Sequence, residues 1–331
     1  MLLAKLKEHN GYIVAGAGVA TVFWVFIYVV SGTYSYVQAR YARDTCRSQY
    51  PHTSRTLGCI SFDTNSERMQ ALNASLDKAT AVYVGEGKAT RVSIFVRDLV
   101  SQQWAASNEN EVYAPASLMK LPLLIAYYKI SELDPSIFSE ALVYKKMPGF
   151  AENTQDFKPA DPLVLGKTYT IEQVIDHMIV NSDNDAADLL YANVNPDIFN
   201  QTAIDLGINI PVNKNTLDFV TAKTYAGVIR MLYNSSYLNR DSSEKVLTLM
   251  SKTAFRGIAN PLPSSVTVAH KFGEREVDAG SSMPVIRELH DCGVVYKTPN
   301  PYIICVMTEG KDFDDLLSVL NGLSRLVYEN I

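Results

Sequence analysis

The stretch Ser117-Leu-Met-Lys-Leu-Pro-Leu-Leu-Ile-Ala-Tyr-Tyr-Lys-Ile130 is almost wholly apolar after its first turn, and it constrains the fold more than any other feature of the chain. A helix without a polar face belongs inside a protein, so other elements have to surround it at the centre of the domain. Pro122 fits a helix only near its start, which puts the N-terminus of this one close to Ser117. A chain of 331 residues, 47% hydrophobic and 20% charged, has material for such a core and is neither disordered nor disulfide-dense. The net charge of −5, with no basic run, argues against nucleic acid as a partner.

The flanking segments indicate what surrounds the central helix. Met69, Leu72, Leu76 and Ala79 recur at helical spacing. The segment from Arg91 to Leu99 alternates like a strand, and Gln102-Gln-Trp-Ala-Ala-Ser-Asn-Glu-Asn-Glu-Val-Tyr-Ala-Pro115 reads as a second strand leading into the helix near Ser117. Helical segments follow from Tyr169 to Val194, interrupted by a turn at Asn181 to Asn184, then from Pro196 and from Thr221. Strand patterns return at Val266 to Glu276 and in a hairpin turning at Pro299-Asn-Pro301. Phe313, Leu316, Leu317, Leu320, Leu323 and Val327 form the apolar stripe of a last helix. Strands from both ends with helices between them predict an α+β fold of three layers, α/β/α, in which an antiparallel sheet of N- and C-terminal segments is flanked by helices and joined to an all-helical lobe. A site between the two is expected.

Tyr12 to Val30 is nineteen residues without a charge, long enough to span hydrocarbon, and no small-x-small cleavage pattern follows it. The expected organisation is a short cytoplasmic segment at 1–11, a transmembrane anchor at 12–31, a stalk at 32–62 and a catalytic domain at 63–331, outside the cytoplasm. Lys5 and Lys7 before the span, against Arg40, Arg43 and Arg47 after it, lean the opposite way by the positive-inside rule; the motifs below and the cysteines outweigh that count. Cys46 with Cys59, and Cys292 with Cys305 across the hairpin, form two local pairs, read as disulfides if the compartment is oxidising and as buried thiols if not. Their spacing fits no metal site, nor does that of His9, His52, His177 and His290.

Three polar clusters occur in a fixed order: Ser117-Leu-Met-Lys120, Ser182-Asp-Asn184 and Lys271-Phe-Gly273. Two further Ser-x-x-Lys matches, Ser75 to Lys78 and Ser242 to Lys245, read as solvated helix faces. Each residue has a structural alternative: Ser117 as a helix N-cap, Ser182 and Asn184 as caps of the next helix, Lys271 as a surface lysine. In order and context, the set resembles the β-lactamase and penicillin-binding-protein superfamily, class A β-lactamases in particular, over the chain from about Arg91 onward. A serine at a helix tip meets unpaired N–H groups, and Lys120, three residues on, shares its face.

The resemblance implies a serine acyl-transfer enzyme working through acyl-Ser117, without a cofactor or metal, on a peptidoglycan stem peptide or a β-lactam. It gives Lys120 the role of base and Ser182 that of proton carrier to the leaving nitrogen. Asn184, Lys271, Phe272, Gly273 and Glu274 bind substrate, with the N–H groups of Ser117 and Glu274 as the oxyanion hole. Two positions depart from the family. Lys214, in Lys214-Asn-Thr-Leu217-Asp218, stands where class A enzymes carry the deacylating glutamate, so efficient β-lactam hydrolysis is not expected. Phe272 replaces a hydroxyl residue that binds the substrate carboxylate, for which Arg275 is the candidate substitute.

Overall fold

A computed structural model describes residues 67–145, 155–213, 216–277 and 285–331, together with Trp24, Ile27, Tyr28 and Ser31, which are helical. The chain divides into two units, Met1–Thr64 and Asn65–Ile331. Apart from those four residues, the anchor, the stalk, Cys46, Cys59 and Lys214 lie outside the described residues. Among the described residues, no helix is long and apolar enough to cross a membrane.

The second unit is built on a five-stranded antiparallel sheet in the order β2-β1-β9-β8-β7. Its strands are β1 (Arg91–Asp98), β2 (Trp104–Ser107), β7 (Val268–Val277), β8 (Ile286–Val295) and β9 (Tyr302–Gly310). The antiparallel sheet is therefore assembled from distant segments, as expected. Alternate residues of each strand point to opposite faces, and here both faces are covered. Val92, Ile94 and Val96 of β1 and Tyr302, Ile304 and Val306 of β9 meet α1 (Glu67–Gly85) and the C-terminal α8 (Phe313–Asn330). Those helices contribute Met69, Leu72 and Leu76, and Leu316, Leu320, Leu323 and Val327. Phe95, Ile303, Cys305 and Met307 face the other way, into a larger core around α2 (Lys120–Ser131). Leu121, Leu124, Ile125 and Ala126 of α2 are fully buried, which is what its uniformly apolar sequence demands. Cys292 and Cys305 stand directly opposite one another in β8 and β9 and are joined by a disulfide.

Around α2 lie α3 (Ile171–Val180), α4 (Asn184–Asn193), α5 (Pro196–Asp205), α6 (Ala222–Tyr233) and α7 (Arg240–Met250). The segment read as one strand from Gln102 to Pro115 is two. After β2 the chain turns at Asn108, whose φ of 53° is left-handed, and leaves the main sheet. Ser93 Oγ donates to the Asn108 carbonyl, and Asn108 Nδ2 donates to that of Val92, so side chains hold the turn. β3 (Val112–Tyr113) then pairs with β6 (Val220–Thr221), and β4 (Ala141–Val143) with β5 (Thr168–Thr170).

Candidate active site

Ser117 sits on a 3-10 turn, Ala116–Met119, and the α-helix proper begins at Lys120, one turn later than the sequence predicts. In a 3-10 turn, residues three apart eclipse, so Lys120 still stacks on the face of Ser117. Neither this turn nor the helix has a side-chain cap, which removes the capping explanation for Ser117. Its hydroxyl makes no hydrogen bond among the described residues. Ala116, just before it, has a φ of 48°, a conformation costing a non-glycine residue about 1–3 kcal/mol.

Neighbours hold the turn in that strained form. The Ala114 carbonyl accepts from His290 Nε2 at 3.0 Å, and the Ala114 N–H donates to Glu288 Oε1 at 3.4 Å. Burial lowers the His290 pKa to about 4, so the ring is neutral; Nδ1 accepts from Thr308 N at 3.2 Å, which leaves Nε2 as the donor. Tyr225 Oη donates to the Leu118 carbonyl. A Cβ on Gly273 would lie 2.9 Å from the Pro115 carbonyl oxygen and 3.1 Å from Leu118 N. Only glycine lets β7 come this close to the serine turn.

The turn between α3 and α4 delivers the second cluster. Asp183 caps α4 by accepting from Asp185 N and Ala186 N, and also accepts from Leu163 N at 2.9 Å. Ser182 is fully buried with a φ of 55°, and Asn184 opens the helix. Lys120 Nζ donates to the Ser182 carbonyl at 2.5 Å and to Asn184 Oδ1 at 2.6 Å, and lies 3.3 Å from Ser182 Oγ. From β7, Lys271 Nζ donates to Ser182 Oγ at 2.8 Å and to its neighbour's carbonyl at Phe272. Lys120, Ser182, Asn184 and Lys271 thus form one connected cluster. Lys78 and Lys245, of the other two Ser-x-x-Lys matches, are exposed.

Two amines share this buried space without a carboxylate in ion-pairing range among the described residues. Burial brings the Lys120 pKa down to about 7, against the opposing pull of Asp183, Asp188 and Glu274. Lys271 is held well below the ordinary lysine range by burial and then by Lys120. A lysine so placed serves as a neutral base near neutral pH. Among the described residues, no group of His, Cys, Asp or Glu is arranged to hold a metal ion.

An open cleft of about 320 Å³ lies over the cluster, lined by Ser117, Lys120, Asn184, Glu274 and Arg275. The Glu274 carboxylate accepts from Asp156 N at 3.1 Å and Phe157 N at 3.3 Å; burial raises its pKa despite those bonds. Arg275 is already engaged, 3.1 Å from Glu288 Oε2 and 3.8 Å from Asp218 Oδ1, so it is not an unpaired cation awaiting a substrate. Phe272 does not line this cleft. It is 2% exposed, stacks on Phe255 at 4.1 Å, and borders a neighbouring pocket on the other face of β7. That Glu288, His290 and Tyr225 position the serine turn is not visible in the sequence, because their contacts are tertiary and leave no local pattern.

The sequence model of the beta-lactamase enzyme family matches residues 74–331. No curated protein matches the chain. Among solved structures, a PBP-A mutant in acyl-enzyme complex with penicillin G shares 19% identity over 79% of this chain and 96% of its own, with a TM-score of 0.63. The extended-spectrum β-lactamase TLA-1 shares 19% over 79% and 98%, with a TM-score of 0.64. A class A β-lactamase from Bacteroides cellulosilyticus shares 18% over 80% and 99%, also with a TM-score of 0.64. These likenesses concern the fold.

Proposed function

Because the chain belongs to the beta-lactamase enzyme family and is a serine hydrolase, we propose that it transfers acyl groups from penicillin-like or D-Ala-D-Ala-like peptide donors through an acyl-Ser117 intermediate. The observation that carries this reading is the hydrogen-bonded chain Lys120–Ser182–Lys271 beside the serine turn. Neutral Lys120 takes the Ser117 proton as Oγ attacks the carbonyl carbon. The developing oxyanion is held by the N–H groups of Ser117 and Glu274. As the C–N bond breaks, Ser182 gives its hydroxyl proton to the leaving nitrogen and is reprotonated from the protonated Lys120. Asn184 and Lys271 orient the donor. Fluorescent penicillin tests the proposal: the protein labels and Ser117→Ala does not, whereas equal labelling of both would refute it.

The cleft is also compatible with a true β-lactamase, and nitrocefin turnover separates the two; with Lys214 at the glutamate position, slow turnover is expected. A second reading, a binding module without turnover, is favoured by one observation: Lys120 Nζ is engaged by the Ser182 carbonyl and Asn184, while the Ser117 hydroxyl is unbonded among the described residues. A stable penicillin complex that dissociates unmodified would support it. The reading of a membrane-anchored, extracytoplasmic enzyme acting on peptidoglycan rests on the apolar run Tyr12 to Val30, and the Cys292–Cys305 disulfide, which needs an oxidising compartment, supports it. Deleting residues 1–31 should move the protein from the membrane fraction to the soluble one.

A further inference from the structure

The cleft over Ser117 reaches only part of the polar cluster. Ser117, Lys120 and Asn184 line it, whereas Ser182 and Lys271 do not, and both are 0% exposed. In the proposed acyl transfer these two act on the substrate itself, Ser182 through its hydroxyl and Lys271 through its amine, so a covering element has to move first. Residues 155–157 lie against both sides. Gln155 Nε2 donates to the Ser182 carbonyl at 3.1 Å, and the same side chain hydrogen-bonds the Glu274 carboxylate, so one amide reaches from the turn between α3 and α4 to β7. Asp156 N and Phe157 N donate to that carboxylate as well. The Phe157 ring meets that of Phe272 edge to face with centroids 6.0 Å apart, and the Phe272 centroid is 4.3 Å from Lys271 Nζ.

We infer that residues 155–157 are an autoinhibitory latch, which shuts Ser182 and Lys271 away from substrate and is fastened by Gln155 and the Glu274 carboxylate. The inference rests on the proposed acyl transfer, because that reaction is what requires both side chains to be reached. The two ends of the latch are held differently. Phe157 is anchored by Phe255, Phe272 and Phe313, an aromatic cluster that stays in place. Gln155 is held by polar bonds, each of which favours the closed form by only about 2- to 10-fold. An incoming substrate amide offers the Ser182 carbonyl the same kind of N–H donor, so it can displace Gln155 and open the latch from that end. Acylation is then slowed in proportion to the fraction of molecules that are closed.

The test applies two readouts to the full chain: reductive methylation of lysines followed by peptide mapping, and the rate of fluorescent penicillin labelling. In the unaltered protein the exposed Lys78 and Lys245 should be methylated and Lys271 spared. Gln155→Ala removes the bonds to Ser182 and Glu274, and Gln155→Glu sets a second carboxylate against Glu274. Both should raise Lys271 methylation and speed penicillin labelling about fourfold or more, a gain of rate that a merely structural residue would not give. Gln155 is half-buried on a segment outside helix and strand, and the second variant keeps the test open if the first does not fold. Lys271 methylated as readily as Lys78 in the unaltered protein overturns the latch, as does Lys271 methylation unchanged in both variants. Lys271 uncovered with labelling equal or slower overturns it too, since Gln155 would then be supporting Ser182 rather than blocking it. Lys271 uncovered in a protein that never labels with penicillin, altered or not, would break the acyl-transfer reading and leave the cover over Lys271 standing.

Discussion

β7 separates two buried polar clusters, and their charges are handled in opposite ways. On one face Lys120 and Lys271 surround Ser182 and Asn184, two amines with no carboxylate in ion-pairing range among the described residues. On the other, His270 Nδ1 lies 2.8 Å from Asp291 Oδ1, Asp291 also accepts from Ile258 N at 2.9 Å, and the His270 carbonyl accepts from Thr253 Oγ1. Folding alone favours the second arrangement, because an unpaired buried charge is costly. A cluster that keeps two amines unpaired holds instead a lysine whose proton is easily lost, which is a property of reactive sites. Under the proposed function, the contrast separates residues kept for chemistry from residues kept for structure.

Substitutions on the two faces should therefore have opposite signatures. The largest effect falls on Ser117→Ala, which abolishes covalent labelling by penicillin while leaving the melting temperature unchanged. Next, Lys120→Met should slow acylation about 10²- to 10⁴-fold, the usual worth of a general base. Its melting temperature should rise, since a buried amine is replaced by an apolar side chain of similar length; a fall would mean that the cluster is a structural pair like its counterpart. Gly273→Ala comes third, because its Cβ would push the Pro115 carbonyl and displace the serine turn. A displacement of this kind costs about 10- to 100-fold in acylation rate, readable by stopped-flow with a chromogenic cephalosporin.

The pH profile is the next smaller effect. Only the neutral form of Lys120 can accept the serine proton, and its pKa is about 7. Acylation should therefore climb about tenfold per pH unit below that value and flatten above it. A flat profile from pH 5 to 9 would remove Lys120 from the base role. On the opposite face, Asp291→Asn should leave the acylation rate unchanged and lower stability by about 1–3 kcal/mol in denaturant titration, through its weakened bonds to His270 and Ile258.

What could be read from the sequence follows the same division. The sheet of distant strands was legible because alternating residues and the Cys292 and Cys305 pair mark β8 and β9 as a hairpin. The central helix was legible because its residues have no polar face. Ser117, Lys120, Ser182 and Lys271 were legible as a set, since their order and setting distinguish them from Ser75 to Lys78 and Ser242 to Lys245. Contacts between distant segments were not. The left-handed backbone at Ala116 and Ser182 leaves no mark in residue type, and the N–H and carbonyl of Ala114 meet Glu288 and His290 only through the placement of β8. Phe272 was expected among the substrate contacts of the serine cleft. Its ring is instead buried between Phe255 and the Lys271 amine, a tertiary arrangement that leaves no local pattern in the sequence.

Intact-protein mass spectrometry after incubation with benzylpenicillin, followed by peptide mapping, tests the central claim most directly. The account expects one added penicillin per chain, carried on the peptide containing Ser117, forming faster above pH 7 than below it. An unmodified mass after prolonged incubation, or an adduct mapped to any other residue, would contradict it.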